Sequence, residues 1–315
     1  MTRIFKTILC LLLSFTFLFP LCNIPTIYAE NKTKTISSSD YEVAYTGDFS
    51  KIISGYIVIY PKELTSSNQK WPVVVWANGT ACAPGLYWNA LCALASKGYV
   101  VVASSETMSA SGDSQIKQID YILGENANAD SIFYKKIDTN KIGAAGHSQG
   151  GRSTVNAAKK DSRIKASVSI AGSNTSSERT GITTPTLFLT GTLDLVVLSS
   201  MWVKPTYNKA EGPAAYASLV GGIHTSVITN YERIIYYTAK WMDAYLNDDQ
   251  NAKRVFMSGG ELYQDSSWRD VNSKGISLSP TASMFGNGNL LFVILILCIL
   301  TIIAFINLKR NKRVI

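Results

Sequence analysis

The chain is poor in histidine. Only two imidazoles, His147 and His224, occur in 315 residues. That scarcity excludes a metal centre built on several histidines. It also leaves very few side chains able to act as a base near neutral pH. Cysteine is sparse as well. Cys10, Cys22 and Cys298 lie in apolar segments near the ends, and only Cys82 and Cys92 remain in the body. Two Cys without a nearby His cannot complete a zinc site, so no metal is expected, and the chemistry read from the motifs below needs no organic cofactor. Internal repeats and long low-complexity tracts are absent. Excess positive charge is also missing from the body. Six of the 30 Lys and Arg residues lie in the terminal segments, whereas all 22 Asp and Glu residues lie between them, leaving 24 against 22. The net +8 therefore belongs to the ends, and no nucleic-acid partner is expected.

The ends read as topology signals. Residues 1–29 have a basic start (Arg3, Lys6), an apolar run from Ile8 to about Leu21, and a small residue, Ala29, at a plausible cleavage point. That is the pattern of a secretory signal peptide. Leu290 to Ile306 carries no charge and is followed by Lys309, Arg310, Lys312 and Arg313. Residues 290–308 are expected to span a membrane once, with 309–315 as a basic cytoplasmic tail. Residues 272–289, rich in Ser, Gly and Asn, read as a linker. Export would allow Cys82 and Cys92 to form a disulfide; closing so short a loop would contribute roughly 3 kcal/mol. The alternative is a pair of small buried thiols.

Residues 30–271 are long enough for one large domain. Short all-apolar runs, PVVVWA (72–77) and YVVVA (99–103), alternate with stretches of helical spacing at 86–97, 114–124 and 149–159. Further strands are expected at 41–46, 52–60, 141–146, 164–171, 184–190 and 215–220, and a long helix at 225–247. This alternation predicts an α/β fold: a mostly parallel, doubly wound sheet covered on both faces, with an antiparallel pair at its N-terminal edge. Ligands of such sheets bind at the carboxyl ends of the strands.

Gly146-His147-Ser148-Gln149-Gly150 sits between a predicted strand and a predicted helix. Flanking glycines permit the tight turn that lifts a serine hydroxyl out of a sheet. A serine nucleophile needs a base. His147, next to Ser148, should point elsewhere, which leaves His224 in a loop after a strand. The base needs a carboxylate to hold its tautomer, and Asp194 follows the strand TPTLFLTG. Asp113 and Asp161 are worse placed. The order Ser148, Asp194, His224 is the one expected for a hydrolase with this elbow. Two backbone N–H groups must face the oxyanion. Gln149 supplies one, and Thr80 is assigned the other, with Gly79 or Ala81 as alternatives. Tyr87 and Trp202 are expected to line a substrate pocket. Trp76 and Trp88 lie nearby, although Trp76 reads better as core.

Asn78-Gly79-Thr80 with LASKGYVVVAS, then IDTNKIGAAGHSQGG, LTGTLDLVV and YASLVGGIHTSV, and finally WMDAYLNDDQNAKRVF, resemble the dienelactone-hydrolase-like and polyester-hydrolase-like branch of the α/β-hydrolases. That branch is near the chlorophyllases and cutinase-type esterases, and the likeness spans about residues 40–270. It implies a carboxylic-ester hydrolase with Ser148, Asp194 and His224 as its triad, and Thr80 and Gln149 as its oxyanion hole. The substrate would be a small or polymeric ester. Two features depart from the pattern: the Cys82/Cys92 pair and the C-terminal span. The same triad could transfer the acyl group to a surface glycan or lipid, cleave an amide, or survive only as an inactive binding scaffold. Asn78-Gly79-Thr80 also matches the N-glycosylation pattern. A glycan there would block the loop, which favours a cell that leaves the pattern unmodified, such as one with a bacterial envelope.

Overall fold

The computed structural model describes residues 40–47 and 55–279. The expected signal peptide, span and tail lie outside these residues, as do positions 280–289 of the expected linker. Among the described residues no helix is long and apolar enough to cross a membrane.

Nine strands form one sheet. In chain order they are β1 (Val43–Thr46), β2 (Tyr56–Pro61), β3 (Trp71–Ala77), β4 (Val100–Ser104) and β5 (Ile137–His147), then β6 (Ile164–Ile170), β7 (Thr186–Gly191), β8 (Ala214–Leu219) and β9 (Trp268–Lys274). The spatial order is β1-β2-β4-β3-β5-β6-β7-β8-β9. Strands β3 to β8 run parallel, whereas β1, β2 and β9 pair antiparallel at the two edges. The covering helices are α1 (Trp88–Ala95), α2 (Asp113–Ala127), α3 (Gln149–Lys160), α4 (Val203–Lys209), α5 (Ser226–Thr229), α6 (Tyr231–Leu246), α7 (Gln250–Val255) and α8 (Glu261–Gln264).

The central strands are apolar on both faces because both are covered. The two-residue period of β3 sorts its side chains. Val74 and Trp76 join a core with Leu91 and Leu94 of α1 and Ile234 and Trp241 of α6. Val73 and Val75 join the opposite core with Ile119 and Ile122 of α2 and Ala157 of α3. Helix α6 lies so close to β5 that a Cβ at Gly143 would fall 2.5 Å from the Met242 sulfur.

Several elements differ from the sequence expectation. The long helix expected at 225–247 is two helices, broken at Asn230, whose φ of −141° and ψ of 49° are not helical. Residues 272–274, assigned to the linker by composition, complete β9. That strand, WRDVNSK, is mostly polar because it is an edge, and charged side chains there block pairing with another chain. Helices α4, α7 and α8 are too short to show a clear period.

Candidate active site

Strand β5 enters the elbow and α3 leaves it. Ser148 between them takes φ 58° and ψ −118°, a conformation that costs a non-glycine residue energy and persists only where the surroundings enforce it. Here they do. The Ser148 N–H donates to the Ile170 carbonyl at 2.8 Å, and the Ser148 carbonyl accepts from the Arg152 N–H at 3.1 Å. The turn is too tight for side chains at its flanks. A Cβ on Gly146 would lie 2.4 Å from the Gly150 oxygen, and one on Gly150 would lie 2.0 Å from the Ala77 oxygen.

The loops after β7 and β8 lock together. The Thr192 N–H donates to Leu219 O, the Leu193 N–H to Gly222 O, and the Gly221 N–H to Thr192 Oγ1. Gly191 and Gly222 touch so closely that a Cβ on Gly191 would sit 2.2 Å from the Gly222 oxygen. This lock brings Asp194 and His224 together although 30 positions separate them. Asp194 Oδ2 accepts from His224 Nδ1 at 2.9 Å. Asp194 Oδ1 accepts from the N–H groups of Val196 and Val197 at 2.9 and 2.8 Å. His224 Nε2 is 3.0 Å from Ser148 Oγ. A carboxylate only accepts, so Nδ1 carries the proton and Nε2 is free to accept from the serine.

The three backbone N–H groups of the loop after β3 differ in their engagement. The Gly79 N–H donates to the Tyr87 hydroxyl at 3.0 Å, and the Ala81 N–H donates to Thr107 O at 3.1 Å. Among the described residues, the Thr80 N–H has no such partner. The Gln149 N–H opens α3, where no carbonyl of the same helix can accept from it. The loop lies against the elbow, since a Cβ on Gly79 would approach Ser148 Cβ to 3.5 Å. Asn78 anchors it. Its amide donates to the carbonyls of Ser104 and Glu106 at 2.8 and 3.1 Å, and the residue is 1% exposed. A side chain so engaged is inaccessible as a glycan acceptor.

These relations can be set beside known proteins. A family model described as PETase, PET hydrolase-like, matches residues 35–273. The chain belongs to the PET hydrolase-like family. It is accordingly an ester-cleaving serine hydrolase of the α/β-hydrolase fold, and its reaction class is carboxylic ester hydrolysis. It is 26% identical to cutinase est2 of Thermobifida alba over 212 residues, 65% of this chain and 68% of that protein. It is 28% identical to a bis(hydroxyethyl) terephthalate hydrolase of Streptomyces coelicolor over 219 residues, 66% and 68% of the two chains. A cutinase of Thermobifida fusca is 26% identical over 209 residues, 65% and 68%.

Within this family member two sequence expectations need correction. Tyr87 does not line a pocket. Its ring is fully buried, tilted against Trp76 at 5.2 Å, and its hydroxyl faces inward. Cys82 and Cys92 are both free thiols. Cys82 packs against the core, and burial raises its pKa. Cys92 lies within α1 and packs on the core, where burial pushes its thiol up to about 12. Trp202 is half-buried on the cluster of Phe188, Val203 and Tyr207. It is not among the residues lining the small apolar recess beside His224, which include Ile170, Leu189, Leu219, Ile223, Val227 and Ile234. Trp76 is core, and Trp88 packs edge-on against Tyr45. Among the described residues no cluster of three or more His, Cys, Asp or Glu could hold a metal ion.

One residue at the site has a part that sequence reasoning passed over. His147 is buried, with Nδ1 3.0 Å from the Tyr87 hydroxyl and Nε2 2.8 Å from the His224 carbonyl. Burial, with the nearby His224 ring second, lowers its pKa to about 3, so it is neutral at physiological pH. Its place in the elbow motif was legible, but the two partners, 60 and 77 positions away, were not.

Proposed function

We propose that the chain is an exported esterase in which Ser148 is the nucleophile, His224 the base and Asp194 its orienting carboxylate. The observation that carries this reading is the unbroken hydrogen-bonded line from Ser148 Oγ through His224 to Asp194. Ser148 Oγ attacks the ester carbonyl carbon while its proton passes to His224 Nε2. Asp194 stabilises the imidazolium. The N–H groups of Thr80 and Gln149 receive the oxyanion, a contribution of about 2.7–4 kcal/mol for each donor. Collapse expels the alcohol, which takes the proton from His224. Water then enters, gives its proton to His224, and releases the acid with Ser148 restored.

The surroundings favour an apolar, extended ester. Leu193, Leu195, Val196, Leu198 and Met201 follow β7, Val220 and Ile223 follow β8, and all are exposed; Leu195 is 80% exposed. Such a rim covers apolar surface when it meets an apolar substrate. The cutinases and the terephthalate-ester hydrolase among the relatives point to the same substrate class.

A C-terminal tether at 290–308 fits this arrangement. Strand β9 runs from Trp268, opposite Leu219, back to Lys274, opposite Ala214. The chain therefore leaves the sheet at the amino ends of the parallel strands, away from Ser148. A span attached there would turn the active site outward, toward esters outside the cell rather than toward lipids of the anchoring membrane.

The test is Ser148→Ala. Hydrolysis of p-nitrophenyl butyrate and of bis(hydroxyethyl) terephthalate should fall below a few per cent of wild type with an unchanged circular dichroism spectrum. Retention of substantial activity by the folded variant would reject the assignment.

A further inference from the structure

The proposed oxyanion loop and the proposed base loop are joined by side chains outside the triad. The Gly79 N–H donates to the Tyr87 oxygen at 3.0 Å. Tyr87 and His147 Nδ1 are 3.0 Å apart. His147 Nε2 and the His224 carbonyl are 2.8 Å apart. Every proton in this line can be assigned. A carbonyl oxygen only accepts, so His147 Nε2 carries the hydrogen. A neutral imidazole then has Nδ1 as an acceptor, so the Tyr87 O–H donates to it. The Tyr87 oxygen is left to accept from the Gly79 N–H. All these groups point one way, and none is left over.

We propose that Tyr87 and His147 are positioning residues that set the Thr80 N–H and the His224 ring relative to Ser148. This rests on the reading of Ser148, His224 and Asp194 as the triad. The need for such a device is visible in the backbone. Ala81, next to Thr80, has φ 58°, a left-handed value that a non-glycine residue keeps only when its loop is held. The loop is held at Asn78, Gly79 and Ala81, and of these tethers only the one at Gly79 leads to the base. His224 has a second support through Asp194, which fixes its ring, whereas His147 grips its backbone. The relay thus sets the gap between the oxyanion donor and the proton acceptor, the spacing on which attack depends.

Two measurements test this. With only two histidines in the chain, ¹⁵N-histidine spectra of the wild-type protein resolve both rings. His147 should show the Nε2–H tautomer and no titration between pH 5 and pH 8. An Nδ1–H tautomer or an imidazolium at pH 6 would overturn the relay without recourse to any variant. Tyr87→Phe keeps the buried ring and removes only the hydroxyl. Its kcat for p-nitrophenyl butyrate should fall by about 10- to 100-fold, with KM within about twofold, because the substrate does not touch Tyr87. His147→Gln, which can still donate to the His224 carbonyl, should retain more kcat than His147→Leu. A folded Tyr87→Phe enzyme with wild-type kcat would refute the proposal. Ser148→Ala, assayed beside it, separates the two failures: if that variant is dead while Tyr87→Phe is fully active, only the relay has failed.

Discussion

The two ends of the parallel strands obey different rules. At the amino ends the loops close on themselves. Arg163 spans Asp161 and Asp120, Asn126 caps the start of β5 through the Ile137 N–H, and Lys136 reaches the Ser67 carbonyl. At the carboxyl ends Ala81, Ser148 and Ala171 all take left-handed φ values. Of the twelve large apolar side chains exposed among the described residues, nine lie on loops that follow the carboxyl ends. Buried polar atoms also remain without a partner there, including Gln149 Oε1 and Thr190 Oγ1. The amino end is not free of either feature, since Lys135 takes φ 56° and Trp71 Nε1 has no partner, but most of the exposed apolar surface and the open Thr80 N–H belong to the carboxyl end. Strain and incomplete satisfaction of this kind collect at functional sites.

Substitutions at the two ends should therefore separate rate from stability. The largest effect is expected for Asp194→Asn, which lets the His224 ring take the wrong tautomer. Its kcat should drop about 10⁴-fold at little cost in melting temperature. A loss under tenfold would show that the carboxylate does not control the base. Next comes Thr80→Pro, which deletes one N–H from the carboxyl-end loop. Steady-state kinetics should show kcat lower by about 10²–10³. Wild-type turnover would return the role of donor to a neighbour.

The smallest effect concerns acid stability, and it contrasts the two ends directly. His147 titrates near 3 in the folded chain against an ordinary 6.5. Between these values the unfolded chain binds a proton that the folded chain refuses. Stability should thus fall as pH drops below about 6.5, by about 2 kcal/mol at pH 5. Asp161, at the amino end, is held below its ordinary 3.8 by hydrogen bonds from Arg163. Its contribution is present above pH 3.8 and is lost only as pH falls below it. Urea melts across pH should show His147→Gln flattening the slope between pH 6.5 and 4.5. Arg163→Gln should lower stability throughout the range above pH 3.8, flatten the slope only in the more acidic limb, and leave turnover intact. The reverse pattern would reverse the division of labour between the ends.

Much of this architecture was legible in one dimension. PVVVWA and YVVVA are apolar at every position because both faces of their strands are covered, and that pattern survives in the chain. Ser148 was legible because the glycines around it have a steric reason to be there. His224 stood out through the scarcity of its kind. Strand β9 was not legible, because an exposed edge has no need of apolar residues. Nor was the break at Asn230, since the apolar period runs across it. The part played by Tyr87 was hidden because a buried and an exposed aromatic look the same in sequence.

The order of Ser148, Asp194 and His224, and the strand ends on which they sit, follow from local pattern alone. Steric limits on a tight turn and the burial of apolar strands act over a few residues, so a few residues record them. Tertiary structure alone decided that Gly79 and Ala81 spend their N–H groups elsewhere while that of Thr80 stays open. It also made His147 a link between two loops. Each of these depends on a hydrogen bond to a group brought near by the fold, and its short range carries no trace along the chain.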